Sequence, residues 1–134
     1  MKKIFGLFLI FPLIAMAGVP QMSCEELFDP IMKTLKDNSA EDFSKYFADA
    51  VEIDFFGKNT IYSKVQSEQI VKDFFERKAI KQITLKHCSG KEYLKYAVIS
   101  ITDLGGLLYR ATIFIRIEND GKVVVQEIRM EKQE

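Results

Sequence analysis

His87 is the one histidine in this chain of 134 residues, so any imidazole chemistry has to start there. An imidazole titrates near neutrality and serves as a general base when a partner orients it. Tyr96, on the next expected strand, is the phenol that could act beside it as the acid. The plainer reading is a half-buried strand-end histidine bonded to backbone. A lone histidine with no identified partner favours that plainer reading.

Glu52 and Asp54 are the next candidates, because a carboxylate held in an apolar pocket can be tuned into a base. They alternate with Val51, Ile53 and Phe55, which points them to solvent instead. No glycine-rich phosphate loop follows a strand and opens a helix: Gly105-Gly106 lies between two strands and reads as a turn. There is no Ser–His–Asp signature. A metal site would have to be assembled from one histidine and scattered carboxylates. No cofactor and no metal are therefore expected.

Two cysteines remain, Cys24 and Cys88. Their spacing matches no metal motif, and a disulfide between them depends on the compartment. That compartment is suggested by the first residues. Lys2-Lys3 is followed by an apolar run, Ile4 to Leu13, and by Ala15-Met16-Ala17, a small-x-small cleavage pattern. Residues 1–17 read as a secretory signal peptide, too short in its apolar part for a good membrane span. Residues 18–22 would then be a short mature tail and residues 23–134 a single domain, periplasmic or secreted. An exported chain permits the Cys24–Cys88 bridge, and two free buried thiols are the alternative.

Composition limits the partners. Taking Lys2 and Lys3 from 19 basic residues leaves 17 against 19 acidic ones, and there is no tryptophan. Without a basic patch, nucleic-acid binding is not expected.

The elements that must position these residues fall into two groups. The first is helical. Ser23 with Glu26 has the form of a capping box, and Leu27, Phe28, Ile31, Met32 and Leu35 follow on one face. Pro30 should kink that helix or restart it. Ser39 opens a short helix lined by Phe43, Tyr46 and Phe47. A strand with Val51, Ile53 and Phe55 turns at Gly57-Lys58-Asn59. Ser63 and Gln66 open a third helix, with Ile70, Val71, Phe74 and Phe75 on its buried stripe.

The second group runs from Ile80 to Met130 and reads as four strands in a meander. Alternation places Ile83, Leu85 and His87 on one face of the first strand, opposite Thr84, Lys86 and Cys88. In the third, Tyr109, Ala111, Ile113 and Ile115 share a face, and Arg110, Thr112, Phe114 and Arg116 share the other. Asn119-Asp120-Gly121 is a hairpin turn, and Val124, Ile128 and Met130 should point inward in the last strand. Helices segregated from an antiparallel sheet define an α+β class.

This element order resembles the nuclear transport factor 2-like, or cystatin-like, cone. More closely, Phe28 to Glu131 resembles an exported family of unknown function, mostly from Bacteroidota. The resemblance is carried by Phe47 with Val51–Phe55, by Tyr62-Ser63-Lys64-Val65-Gln66 with Phe74-Phe75, by Leu85-Lys86-His87-Cys88-Ser89-Gly90, and by Tyr109-Arg110 with Gln126-Glu127-Ile128-Arg129. It departs at Ser100, where the family pattern has glycine. The resemblance implies N-terminal helices on a curved, mainly antiparallel sheet. It brings no established activity, and cone domains host enzymes and binding modules alike.

Three functions follow as expectations. The first is a non-catalytic binding module whose apolar pocket is lined by Phe28, Phe55, Phe74, Leu85, His87, Tyr109 and Ile113, holding a small apolar ligand or a protein segment. The second is an isomerase- or dehydratase-like enzyme using His87 and Tyr96. The third is a homodimer without ligand, paired through Arg110, Thr112, Phe114 and Arg116. A cone filled by Phe28, Phe43, Phe74 and Phe75 would leave the first two without a pocket.

Overall fold

The computed structural model describes residues 22–133 and, before them, only Gly6 and Pro12. Those two apart, the expected signal peptide (1–17) and the tail up to residue 21 lie outside the described residues.

Helix α1 (Cys24–Lys36) begins where the Ser23 hydroxyl accepts the Glu26 N–H at 3.2 Å. Pro30 neither splits nor ends it. The ring sits on the exposed side, where the carbonyl it leaves without a partner can be hydrated, while Phe28, Ile31 and Leu35 are buried on the other. Asn38 takes the left-handed conformation that asparagine tolerates, with φ 52°. Its amide then clasps the backbone of Ile80, accepting from the N–H at 2.7 Å and donating to the carbonyl at 3.0 Å.

Helix α2 (Ala40–Ser44) is capped by Ser39. It is shorter than its apolar residues suggest, because Phe47 belongs to strand β1 (Phe47–Phe55). The Val125 N–H donates to the Tyr46 carbonyl at 2.6 Å and draws the chain into the sheet. Strand β2 (Lys58–Ser63) returns antiparallel to β1, and Ser63 and Gln66 close a full capping box on helix α3 (Lys64–Arg77).

Strands β3 (Ile80–Gly90), β4 (Leu94–Asp103), β5 (Leu108–Ile117) and β6 (Val123–Lys132) form the expected meander. The six strands lie in the order β2-β1-β6-β5-β4-β3. Among the described residues, only the β1–β6 pairing is parallel. The helices cover one face of this curved sheet, and a single apolar core lies between them. Phe28, Phe43, Phe74 and Phe75 are all buried in it, so the middle of the cone is filled by side chains.

Of the register shifts in the sheet, two reverse faces on which the expected assignments rest. In β3, Leu85 opposes Ile99 but His87 opposes Val98, so Lys86 is an extra residue. An inserted residue reverses every face beyond it. Ile83 and Leu85 stay against the core, His87 turns to the outer face, and Cys88 turns inward. In β6 the register shifts beside Gln126, so Val125 joins Ile128 and Met130 in the core, and Val124 pairs with Arg116 on the other side. The inward Cys88 bonds to Cys24 in the first turn of α1, with 5.9 Å between their Cα atoms.

Candidate functional site

With the centre of the cone packed, its open end is what remains. Here β1 finishes, β5 begins, and α3 reaches its last turn. Phe56 opens the turn after β1 with φ 58°, in the left-handed region that costs a bulky residue about 1–3 kcal/mol. Two bonds hold it there. Its own N–H donates to the Met130 carbonyl at 2.9 Å, and the next N–H, that of Gly57, donates to the Asp54 carboxylate at 3.1 Å. Gly57 itself has φ 87°, which a side chain would disfavour.

The turn leaves Phe56 46% exposed, over a cleft of about 560 Å³. Phe74 and Tyr109 form its floor and meet edge to face, 5.7 Å between centroids. Phe56 lies 6.0 Å from Tyr109 by the same measure, and the Lys132 ammonium sits 5.9 Å over the Phe56 ring. Arg77, Lys78, Glu131 and Lys132 make the rim. The volume is within the range of small-molecule sites.

Below the floor, the Tyr109 hydroxyl donates to the Asp103 carboxylate at 2.9 Å, and the Leu107 N–H donates to the same carboxylate at 2.9 Å. Asp103 is only 2% exposed. Burial pushes its carboxyl up, but bonds from the Leu107 N–H, the Tyr109 hydroxyl and the Gly105 N–H, with a smaller attraction from Lys78, outweigh it and leave it below its ordinary value. Burial first, then the bond to Asp103 and its negative charge, hold the Tyr109 phenol above its ordinary value. The proton therefore stays on Tyr109. The pair fixes the β4–β5 hairpin and offers the cleft no free base.

Only two of the seven expected lining residues, Phe74 and Tyr109, border this cleft. Phe28 and Ile113 are sealed in the core, and Phe55 and Leu85 pack partly buried against it. His87 is on the opposite side of the sheet, moved there by the bulge. Phe56, Arg77, Lys78, Glu131 and Lys132 were missed. One signal for Phe56 was available: an apolar residue that breaks the alternation just before a glycine turn.

His87 and Tyr96 do come together, ring centroids 5.8 Å apart, but on the outer sheet face. They begin a row that continues to Phe114, 5.8 Å from Tyr96, and to the Arg129 guanidinium, 5.2 Å over the Phe114 ring. Glu127 accepts from Arg129 at 2.6 Å. Arg110, Thr112 and Arg116 share this face with Phe114, as the alternation of β5 indicated. Tyr96, Phe114, Arg116, Glu52 and Glu127 line a shallow outer groove of about 860 Å³. Among the described residues, no three His, Cys, Asp or Glu side chains gather as metal ligands, and no helix is long and apolar enough to cross a membrane.

Residues 28–131 match the family model described as a domain of unknown function, DUF4783. The chain belongs to that family. A DUF4783 protein from Bacteroides ovatus superposes with a TM-score of 0.73 at 19% identity, over 79% of this chain and 94% of that one. A DUF4783 protein from Bacteroides fragilis gives 0.73 at 15% identity, over 78% and 97%. An NTF2-like protein of unknown function from Cytophaga hutchinsonii gives 0.59 at 9% identity, over 85% and 93%. At these identities the likeness concerns the fold, which is the nuclear transport factor 2-like cone. No curated protein matches the sequence.

Proposed function

We propose that this DUF4783 chain is an exported, non-catalytic binding module that takes the apolar part of a small ligand in the cleft at its mouth. The observation that carries this reading is the cleft itself, walled by Phe56, Phe74 and Tyr109. A strained Phe56 held over an open space supports it further, since backbone strain of that kind collects at ligand sites. Against an acid–base enzyme stand the outward His87 and the closed Tyr109–Asp103 pair.

The chain has no tryptophan, so F56W places a single indole reporter at the mouth. Titration with dodecanol should shift its emission to the blue and saturate at one equivalent per chain. A linear response without saturation, or none, defeats the reading. Export is tested separately, by the N-terminal residue of the protein recovered outside the cytoplasm. Gly18 is expected there.

A second reading, a homodimer through the outer sheet face, has its own support in the charges. Outward positions of β1 and β6 carry Glu52, Asp54, Glu127 and Glu131 against Arg129. Those of β3 to β5 carry Lys86, His87, Arg110 and Arg116 and no carboxylate. A two-fold axis near Phe114 would lay the acidic half of one copy over the basic half of the other. Sedimentation equilibrium should show a dimer that R110E/R116E dissociates. A monomer at every concentration removes this reading and leaves the cleft untouched.

A further inference from the structure

At the mouth end the apolar surface does not stop at the cleft. Leu104, Leu107 and Leu108, in and beside the β4–β5 hairpin, are 71%, 49% and 46% exposed. Phe56 on the neighbouring β1–β2 turn is as exposed as Leu108. Pairing places the two turns side by side: Tyr109 follows Leu108 in β5 and packs beside Phe56, and the Gln133 N–H donates to the Leu108 carbonyl at 3.0 Å. Four large apolar side chains in and beside two adjoining turns thus stay exposed outside the core. Gly106, with φ 84° and open space around it, lets the hairpin turn without a side chain.

The same end is basic. Arg77, Lys78 and Lys132 ring the cleft, and Lys58 and Lys81 stand at the starts of β2 and β3, one residue after Gly57 and three after Lys78. None of these five joins an ion pair among the described residues. Glu131 is the one acid on the cleft rim, and Asp73 and Glu76 are exposed on the last turns of α3.

We infer that this end docks on an anionic lipid surface, with the Leu104–Leu108 hairpin and Phe56 entering the headgroup boundary and the cations resting on the headgroups. Apolar tips alone would fit many partners. Tips surrounded by unpaired cations select a surface that is apolar in depth and negative at its face. This is attachment to a surface by loops, distinct from a span, and it does not require the cleft to be occupied.

The test is flotation of the full mature chain with vesicles of phosphatidylcholine alone or mixed with phosphatidylglycerol, at low and high salt. The chain should float with the mixed vesicles at low salt and fall away at high salt. Each cation near the surface contributes roughly fivefold, so K78Q/K132Q should weaken binding roughly 25-fold. L104S/L107S should weaken it by about tenfold or more. Both variants change exposed side chains, and an unchanged thermal midpoint confirms their folding. L104W should shift its emission to the blue with mixed vesicles, reporting entry of the hairpin. No flotation at low salt overturns the inference, as does equal binding to neutral vesicles or wild-type binding by L104S/L107S. A chain that answers to monomeric dodecanol through F56W but never floats keeps the cleft reading and loses this one.

Discussion

Breaking the Cys24–Cys88 bridge is the sharpest perturbation of the fold. It joins positions 64 residues apart and ties the first turn of α1 to the far end of β3. In the chain-entropy account, a loop of that length restricts the unfolded chain by about 4 kcal/mol. Domains of this size have a total stability of about 5–15 kcal/mol, so the bridge is a large share of it. C24S/C88S should therefore melt roughly 15 °C below the oxidised wild type, and its urea midpoint should fall on the order of 2 M. The reduced wild type should melt close to the double variant, because both leave the chain without the cross-link. The urea dependence itself should steepen, since an unbridged chain exposes more surface when unfolded. Paired urea and thermal melts, with and without reductant, read all of this. A difference under about 4 °C, or roughly 1 kcal/mol, would refute the reasoning and mean that α1 is held by packing alone.

Acid stability should depend on the Tyr109–Asp103 bond. A carboxyl held below its ordinary value contributes stability that is present above its unfolded value, near pH 4, and is lost as the pH falls through its folded value. Y109F removes one of the bonds that hold it low, so its acid unfolding midpoint should move to higher pH, as read by circular dichroism. Asn38 should separate two effects: N38A loses the clasp on Ile80 and strains the left-handed backbone, whereas N38G loses only the clasp. The clasp is worth about 1–3 kcal/mol because Ile80 would keep an unpaired N–H, and hydrogen exchange at Ile80 should quicken in both variants. Deleting Lys86 takes out the extra residue, so Leu85, His87 and Cys88 should alternate regularly with His87 still outward and Cys88 still inward. The bridge should therefore persist, and thiol titration should find no free cysteine, as in the wild type; two titratable thiols would refute the bulge assignment.

The parts of this fold legible in the sequence are those with local chemical signals. Ser23, Ser39 and Ser63 mark all three helix starts, because a hydroxyl and an open N–H two or three residues on are enough to define a cap. The meander is legible because each of its turns carries glycine or Asn-Asp-Gly. The site is not, and the cause is parity. A strand face is inferred by counting in twos, and one inserted residue changes the answer for every later position without changing composition or propensity. His87 was thereby placed in a pocket it does not see, and Cys88 away from the sulfur it meets. The inward residues of β3 are Ile80, Ile83, Leu85 and Cys88, spaced three, two and three; those of β6 are Val123, Val125, Ile128 and Met130, spaced two, three and two. A spacing of three inside a run of twos is the trace a bulge leaves, and all three instances are present in the sequence. The cleft has no such trace. Phe56, Tyr109, Arg77 and Lys132 come from four elements that meet only when the sheet closes round the helices. Their meeting follows from the parallel β1–β6 pairing, which joins the start of the domain to its end. No local pattern announces a contact of that range.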